Sequence, residues 1–244
     1  MTERPDRTSP NFFLVGFSVI SFIAVAIGSS TQRQVVDPSV FRPEPAAIVR
    51  LQGLPEIGKW LINPDLSYAH WMGEIVAGKG LREPINVIIA DSYSTDEAEA
   101  LQRLLLSCEK AGFKSRPWHS SGYFGWLGGR LFPQIPDRKH HALSDEPFEF
   151  NNNHGRFFGP FRQGRTFYWI GAMSREKLAP LTRSEHVYVS FNRARDAFAS
   201  ALVEKAGLER RPYVRLNNAI VNDPLVGTGD HDGLAVFLAA PERS

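Results

Sequence analysis

The stretch NNHGRFFGPFRQGRTFYWIGAMSRE, residues 152–176, contains two aromatic-rich runs that are separated by a short polar break. The first run is HGRFFGPFR (154–162) and the second is RTFYWIGAMS (165–174), with Gln163 and Gly164 between them. Aromatic residues favour strands, and a glycine-containing break of this length commonly joins the two strands of a hairpin. The stretch therefore predicts a β-hairpin.

The segment before this hairpin predicts a strand, a helix and a second strand. INVIIA (85–90) is a continuous β-branched run, as in a strand that is buried on both faces. Residues 95–111 follow as a helix that Gly112 ends, and residues 113–118 predict the second strand. The candidate N-caps of the helix are Asp91, Ser92, Ser94 and Thr95. Its predicted apolar face consists of Ala98, Leu101, Leu104, Leu105 and Cys108.

The segment after the hairpin predicts two more strands and one more helix. HVYVSF (186–191) alternates as a strand does, and LAVFLA (234–239) is a final strand. Residues 192–206 predict an amphipathic helix that Asn192 caps and Gly207 ends. Residues 119–147 are rich in glycine and proline and predict a long irregular loop, a feature that is often functional. The predicted fold class is α/β, an α+β-like mixed sheet with two or three packed helices.

An apolar run near the N-terminus predicts a membrane attachment. FFLVGFSVISFIAVAIG (12–28) carries no charge over 17 residues, which at 1.5 Å per residue is close to the length that spans a bilayer. A cleavable signal peptide is the main alternative, because Ala24-Val25-Ala26 resembles a cleavage site, and a buried core helix is the third. Arg4 and Arg7 precede the run and predict an inner-membrane, single-pass protein with its C-terminal domain on the periplasmic or extracytoplasmic side.

These patterns predict the domain organisation. Prolines punctuate residues 32–58, and WLINPDLSYAHWM (60–72) suits a short helical segment at a core edge or a headgroup belt. The predicted parts are a cytoplasmic tail (1–11), a transmembrane signal anchor (12–31), a Pro-rich stalk with a short helical segment (32–83) and an α/β domain (84–244).

Composition limits the classes of function. The net charge of +2 does not argue for nucleic acid as a partner. Cys108 is the single cysteine, so an intrachain disulfide and a multi-cysteine metal site are both excluded. The sequence holds no P-loop, no G-x-S-x-G motif and no dinucleotide fingerprint, and the histidines lack metal-ligand spacing. We therefore predict no cofactor and no metal, and the catalytic residues, if any exist, are unknown.

Several segments together resemble the C-terminal domain of the LssY family. The resemblance covers roughly residues 84–240. Its carriers are PINVIIADS (84–92), AGF (111–113), residues 152–176, SEHVYVSFNRARDAF (184–198) and DGLAVFLA (232–239). The family's hairpin pattern matches His154, Arg156, Phe158, Gly164, Trp169, Gly171 and Ala172. The resemblance implies a membrane-associated domain, in some proteins joined to phosphatidic-acid-phosphatase-like modules, and it implies no defined chemistry.

This chain departs from the family pattern at two acidic positions. Val187 and Tyr188 follow His186 where the family has an acid, and Ala194 stands where a glutamate precedes Arg195. Any activity that depends on those acids is therefore in doubt for this chain.

A group of basic residues predicts an anion site. Guanidinium groups suit phosphate or lipid headgroups, and the hairpin region carries several arginines with one acid, Glu176. The candidate anion-binding residues are His154, Arg156, Arg162, Arg165, His186 and Arg195. The alternative interpretation of these residues is a solvated hairpin face.

Two functions follow as hypotheses. The first is a non-enzymatic, membrane-anchored accessory subunit whose extracytoplasmic domain binds a membrane-protein complex at the lipid bilayer. The second is a lipid- or phosphate-related binding protein or enzyme that uses the His/Arg residues of the 154–196 region. A zinc hydrolase is a third possibility, built from His154, His186 and the Asp230-His231-Asp232 segment.

Overall fold

The computed structural model describes residues 38–117, 120, 122–137, 140–179 and 186–240, and strands predominate among them. The strands of the first half are β1 (Ile48–Val49), β2 (Ile57–Gly58), β3 (His70–Val76), β4 (Lys79–Arg82), β5 (Val87–Asp91), β6 (Lys114–Arg116), β7 (Phe124–Leu127) and β8 (Arg130–Ile135). Those of the second half are β9 (Ala142–Ser144), β10 (Asn152–Gln163), β11 (Thr166–Leu178), β12 (His186–Ser190), β13 (Glu209–Arg215), β14 (Val226–Gly227) and β15 (Leu234–Ala239). The α-helices are α1 (Glu97–Lys110) and α2 (Phe191–Ala206), and short 3-10 turns span Pro38–Val40 and Pro45–Ala47.

Within these residues the strands form one large mixed sheet and one small sheet. The large sheet has 12 strands that curl into a half-barrel, with the order β1-β2-β7-β8-β10-β11-β5-β15-β13. β12, β6 and β9 lie off this path. β5 and β15 run parallel, whereas the other pairs of this sheet are antiparallel. The small sheet has the order β14-β4-β3.

The predicted hairpin is confirmed and is longer than its sequence signature. β10 and β11 are antiparallel partners from Asn152↔Glu176 to Gln163↔Thr166, with Gly164 in the turn. A register shift between Phe158 and Phe161 bends β10. Strong local aromatic patterning and a glycine in the turn specified this element without distant information.

Both helices pack on one face of the large sheet. Asp96 caps α1 by accepting from the Glu99 amide, and Gly207 ends α2 with φ +74°, the left-handed conformation that favours glycine. The shared cluster contains Val87, Ile89, Leu104, Cys108, Phe157, Trp169, Phe198, Leu202, Val236 and Leu238, all buried. Burial of each large apolar side chain stabilises the fold by about 1.5–3 kcal/mol. The predicted fold class, a mixed sheet with packed helices, is therefore confirmed.

The other face of the sheet shows that the domain begins before residue 84. Its cluster joins Ile88, Phe158 and Ile170 of the sheet to Ile57 and Leu61, both 0% exposed. The described residues all belong to one compact unit with the bounds Val35–Ser244. The described part of the predicted stalk, residues 38–83, thus contributes to the domain core. The short helical segment predicted at residues 60–72 instead forms isolated bridges and a turn and runs into β3 at His70.

Other predicted elements also needed correction. The predicted irregular loop 119–147 contains β7, β8 and β9. β7 and β8 form a hairpin with each other, and β8 and β9 both pair with β10. The predicted strand, helix and second strand correspond to β5, α1 and β6, but β6 pairs with β9 and not with β5. The parallel partner of β5 is β15. The N-termini of α1 and α2 are capped by Asp96 and Ser190. These residues differ from the N-caps that the sequence predicted.

The apolar face predicted for α1 is also only half buried. Ala100, Leu104 and Cys108 face the core, whereas Leu105 is 36% exposed. Residues 104–106 are three consecutive leucines, so the sequence offers apolar side chains to two helix faces, and only the docking of α1 decides between them.

No helix in the described ranges is both long enough and apolar enough to cross a membrane. The predicted tail and anchor, residues 1–31, lie outside the described residues.

Candidate functional site

The structure does not gather the six predicted anion-binding residues into one site. Arg162 and Arg165 are exposed around the β10–β11 turn, where the Arg162 Nε donates to the Gly164 carbonyl at 3.2 Å. The side chains of His154, Arg156, His186 and Arg195 are buried, at 3–4% exposure. His154 and His186 meet at the carboxylate of Glu176. Arg156 pairs with Glu83, and Arg195 pairs with Asp196 and Asp232.

The two histidines meet at Glu176, in what we name the histidine–glutamate cluster (Asn152, His154, Ser174, Glu176 and His186). His154 Nδ1 lies 3.1 Å from the Asn152 amide oxygen and 3.5 Å from Glu176 Oε1. The Asn152 amide nitrogen donates to Glu176 Oε1 at 3.0 Å. His154 Nε2 lies 3.2 Å from the Ser174 hydroxyl. Because Nδ1 faces two acceptors, it carries the proton, and Nε2 accepts from Ser174.

Strand periodicity builds this cluster. Asn152 and His154 are two residues apart on β10 and so share a face, and they lie opposite Glu176 and Ser174 on β11. β12 pairs with β11 through Leu178↔His186, which brings His186 beside Glu176. The His186 ring stacks on Phe148 with the ring centroids 4.1 Å apart. The cluster is therefore a direct result of the hairpin register.

His186 makes no hydrogen bond that satisfies its ring. Its Nδ1 contacts Glu176 Oε1 outside hydrogen-bond geometry, and its Nε2 has no hydrogen-bond partner among the described residues. Ser174, His154 and Glu176 are arranged like the nucleophile, the base and the orienting carboxylate of a serine-hydrolase triad. Ser174 is only 2% exposed, however, so no substrate reaches its hydroxyl in this arrangement. The cluster acts here as a buried polar network that ties three strands together.

Arg156 pairs with Glu83 beside this cluster. The Arg156 Nη1 donates to Glu83 Oε2 at 3.2 Å, and its guanidinium lies 4.8 Å from the centroid of the Tyr123 ring. Burial raises the pKa of Glu83, the positive charge of Arg156 opposes that rise, and the charge of Glu176 adds to it. The guanidinium predicted to hold a ligand anion therefore already holds a carboxylate of the protein.

Arg195 also serves the fold. Its Nη1 donates to Asp232 at 2.7 Å and to the Leu234 carbonyl at 2.9 Å, while its Nε donates to Asp196 at 2.8 Å. Burial alone would lower the pKa of Arg195, but the hydrogen bonds to the two aspartates outweigh it and raise that pKa. Arg195 thus fixes α2 to the segment that leads into β15.

The Asp230-His231-Asp232 segment is held by neighbouring groups rather than open to a ligand. Asp230 accepts from the Phe191 amide at 2.9 Å and from the hydroxyls of Tyr188 and Ser190. His231 Nε2 lies 2.9 Å from the Asn218 amide oxygen, and burial lowers the pKa of His231 to about 4. Among the described residues no group of three or more His, Cys, Asp or Glu side chains is arranged to hold a metal ion.

Four strongly exposed apolar side chains lie on β3 and on the segment that leads into β14. We name these four residues the apolar patch: Met72 at 82% exposure, Ile75 at 67%, Val221 at 73% and Leu225 at 76%. Ile75 of β3 pairs with Gly80 of β4, and the Gly80 amide donates to the Leu225 carbonyl at 2.9 Å. Lys79 Nζ donates to the Val221 carbonyl at 3.1 Å.

Sequence reasoning missed Glu83, Ser174 and the apolar patch. Glu83 and Ser174 carried a detectable signal, because polar residues within or next to a run of buried strand residues indicate a buried network. The patch carried none, since β3, β4 and β14 are short and join segments far apart in the chain. Comparison of the chain with protein-family models, with curated proteins and with solved structures gives no match.

Proposed function

We propose that this protein is a non-enzymatic, membrane-anchored accessory subunit whose domain binds a membrane-protein complex through the apolar patch. The observation that carries this proposal is the exposure of Met72, Ile75, Val221 and Leu225, each between 67% and 82%. Single exposed apolar residues are ordinary on a protein surface, but several on β3 and on the adjoining segment 221–225 mark a contact surface. Methionine is also among the residues that are enriched at protein interfaces.

The geometry of the small sheet supports a protein partner. Trp71 and Leu81 hold its inner side against Phe191, and all three are buried. The anchored strand β3 presents Met72 and Ile75 without the entropic cost of ordering a loop. A partner that covers Met72 and Ile75 gains about 1.5–3 kcal/mol for each apolar side chain that it removes from water.

The location of the protein forms part of the proposal. Residues 12–28 supply a single apolar segment for attachment to the inner membrane, and Arg4 and Arg7 favour an extracytoplasmic domain. We also propose kinship with the LssY C-terminal domains, on the motifs at residues 84–92, 152–176 and 232–239. Both proposals are consistent with a subunit that docks on a complex in the same membrane.

The lipid- or phosphate-binding alternative has less support. Arg156 and Arg195, which the sequence predicted as anion-binding residues, already pair with carboxylates of the protein at 3.2 Å or less. Removing a guanidinium from such a buried pair leaves an uncompensated charge, so these arginines are not available to a ligand. Only Arg162 and Arg165 remain exposed, and a pair of exposed arginines at a turn is an ordinary solvated feature.

The test is to extract the tagged full-length protein from its native membrane in a mild detergent and to measure the mass and composition of what copurifies. We expect a defined complex much larger than 27.3 kDa. The double substitution Met72→Ser with Ile75→Ser should reduce recovery of the partner by about tenfold or more. Val40→Ser is the matched control, because Val40 is 68% exposed but lies outside the patch. A lone monomer from the unsubstituted protein would contradict the proposal.

A further inference from the structure

A groove of about 620 Å³ opens at the carboxyl ends of the parallel strands β5 and β15. It lies on the sheet face opposite the helices, because Tyr168 and Phe237 in its lining pack against the Ile88 and Ile170 cluster. The turn at 52–54 borders it on one side and β13 on the other. Its volume is in the range of about 300–1,000 Å³ that small-molecule sites occupy. The carboxyl ends of parallel strands are also a common place for ligands in mixed sheets.

The floor of the groove is apolar and is shaped by side-chain size. Ala90 of β5 pairs with Tyr168 of β11 on one side and with Ala239 of β15 on the other. Two alanines at adjacent positions leave a depression between larger neighbours. Tyr168 forms one side of this depression, and Phe237, two residues before Ala239 on β15, forms another. The result is a trough with aromatic sides.

The rim of the groove is polar and electrically neutral. Its polar side chains are Gln52, Ser92, Thr166 and Arg211. Arg211 Nη2 lies 3.1 Å from Glu209 Oε2, so the one cation of the lining is balanced by a carboxylate at the same edge. Hydroxyls and a carboxamide both donate and accept hydrogen bonds, and the guanidinium adds donors in a planar fork. Such a rim favours an uncharged ligand with many hydroxyl groups over a carboxylate or a phosphate.

From this lining we infer that the groove binds a neutral saccharide of one or two pyranose rings. A pyranose has apolar C–H faces that pack against aromatic rings, and its hydroxyls lie at the ring edge. The aromatic sides of the trough fit the C–H faces, and the hydroxyl and carboxamide groups of the rim match the hydroxyls at the ring edge. This inference is independent of the proposed docking function, because the groove and the apolar patch share no residue.

The test is saturation-transfer NMR on the full-length protein in lipid nanodiscs, with maltose, cellobiose and N,N′-diacetylchitobiose as probes. Neutral sugars do not partition into lipid, so a transfer signal reports on the protein. We expect one or more probes to bind with a Kd of about 1 mM or tighter, with the strongest transfer at the C–H protons of one ring face. Glucuronate and glucose 6-phosphate, as anionic probes, should bind more weakly than the neutral sugars.

Two neighbouring arginines provide matched variants. Arg211→Met removes the rim guanidinium and should weaken binding by about tenfold. Arg210→Met is the control, since the Arg210 guanidinium donates to Ser200 of α2 and to the hydroxyl of Tyr213, which itself donates to Asp196 of α2, so this change leaves the rim cation in place. Thermal unfolding of both variants checks that they fold.

Several outcomes would overturn the inference. They are the absence of transfer to every neutral probe at about 10 mM, a preference for the anionic probes, and an equal loss of binding in the Arg210 and Arg211 variants. Tyr168→Leu gives a second, independent variant, because a saccharide that stacks on the ring loses affinity while a purely polar rim contact does not.

Discussion

The buried histidine beside Asn218 makes the stability of this protein depend on pH. His231 is 5% exposed, its Nε2 is 2.9 Å from the Asn218 amide oxygen, and its Nδ1 has no hydrogen-bond partner among the described residues. Burial disfavours the imidazolium and lowers the pKa of His231 from 6.5 to about 4. Asp232 and Asp230 nearby oppose the shift, and Arg195 adds to it.

The direction of the effect follows from which state binds the proton. Between pH 6.5 and about pH 4 the unfolded chain protonates this histidine while the folded protein keeps it neutral, so the folded state loses stability as the pH falls. Each pH unit in that window costs about 1.4 kcal/mol, which amounts to about 3 kcal/mol at pH 4. Above pH 6.5 the histidine is neutral in both states and contributes no pH dependence.

The assay is urea unfolding of the full-length protein in mild detergent, monitored by tryptophan fluorescence. It is repeated at several pH values between 4 and 7.5. His231→Gln keeps an amide donor for Asn218 and cannot titrate. We expect the free energy of unfolding to fall less in this variant than in the unsubstituted protein, by about 3 kcal/mol at pH 4. The carboxylates titrate in both proteins, so the comparison isolates the histidine. Parallel pH profiles for the two proteins would refute the reasoning.

Four further substitutions or modifications test the packing and the ion pairs. Arg156→Met should lower the free energy of unfolding by about 3–5 kcal/mol, since it strands the buried Glu83, and adding Glu83→Gln should recover most of that loss in urea unfolding. Burial raises the pKa of Cys108 to about 12, so iodoacetamide at pH 8 should leave the folded protein unmodified and label it only after denaturation, as mass spectrometry will show. Gly207→Ala places an alanine at φ +74° and should cost about 1 kcal/mol in the same unfolding assay. Ser190→Ala removes both the cap of α2 and a donor to Asp230, which should cost about 1–2 kcal/mol and lower the melting temperature.

The elements that the sequence predicted well are those with a strong local pattern. The β10–β11 hairpin has aromatic runs and a glycine turn, β5 is an uninterrupted β-branched run, and α2 has an amphipathic period ended by Gly207. In each case the residues that specify the element lie within it, so its neighbours are not needed to predict it. The short strands β1 to β4 lacked such a signal, because strands of two to seven residues hold too few positions to show a clear period.

The candidate site was harder to predict than the fold for a related reason. The sequence showed many arginines near one acid and so favoured an anion site. Two of the balancing carboxylates were distant: Glu83 is 73 positions from Arg156, and Asp232 is 37 from Arg195, although Asp196 adjoins Arg195. Local charge counting does not include such partners, and the pairing changes these arginines from ligand-binding groups into structural ones.

By itself the sequence determined the class of the domain, its central hairpin and its buried strand, because periodicity and turn chemistry act between residues a few positions apart. Only the tertiary structure decided which arginines are neutralised, which face of α1 meets water, and that the segment of Leu225 lies beside the small sheet that carries Met72. Those properties depend on contacts between residues far apart in the chain, and contacts of that kind leave no periodic trace in the sequence.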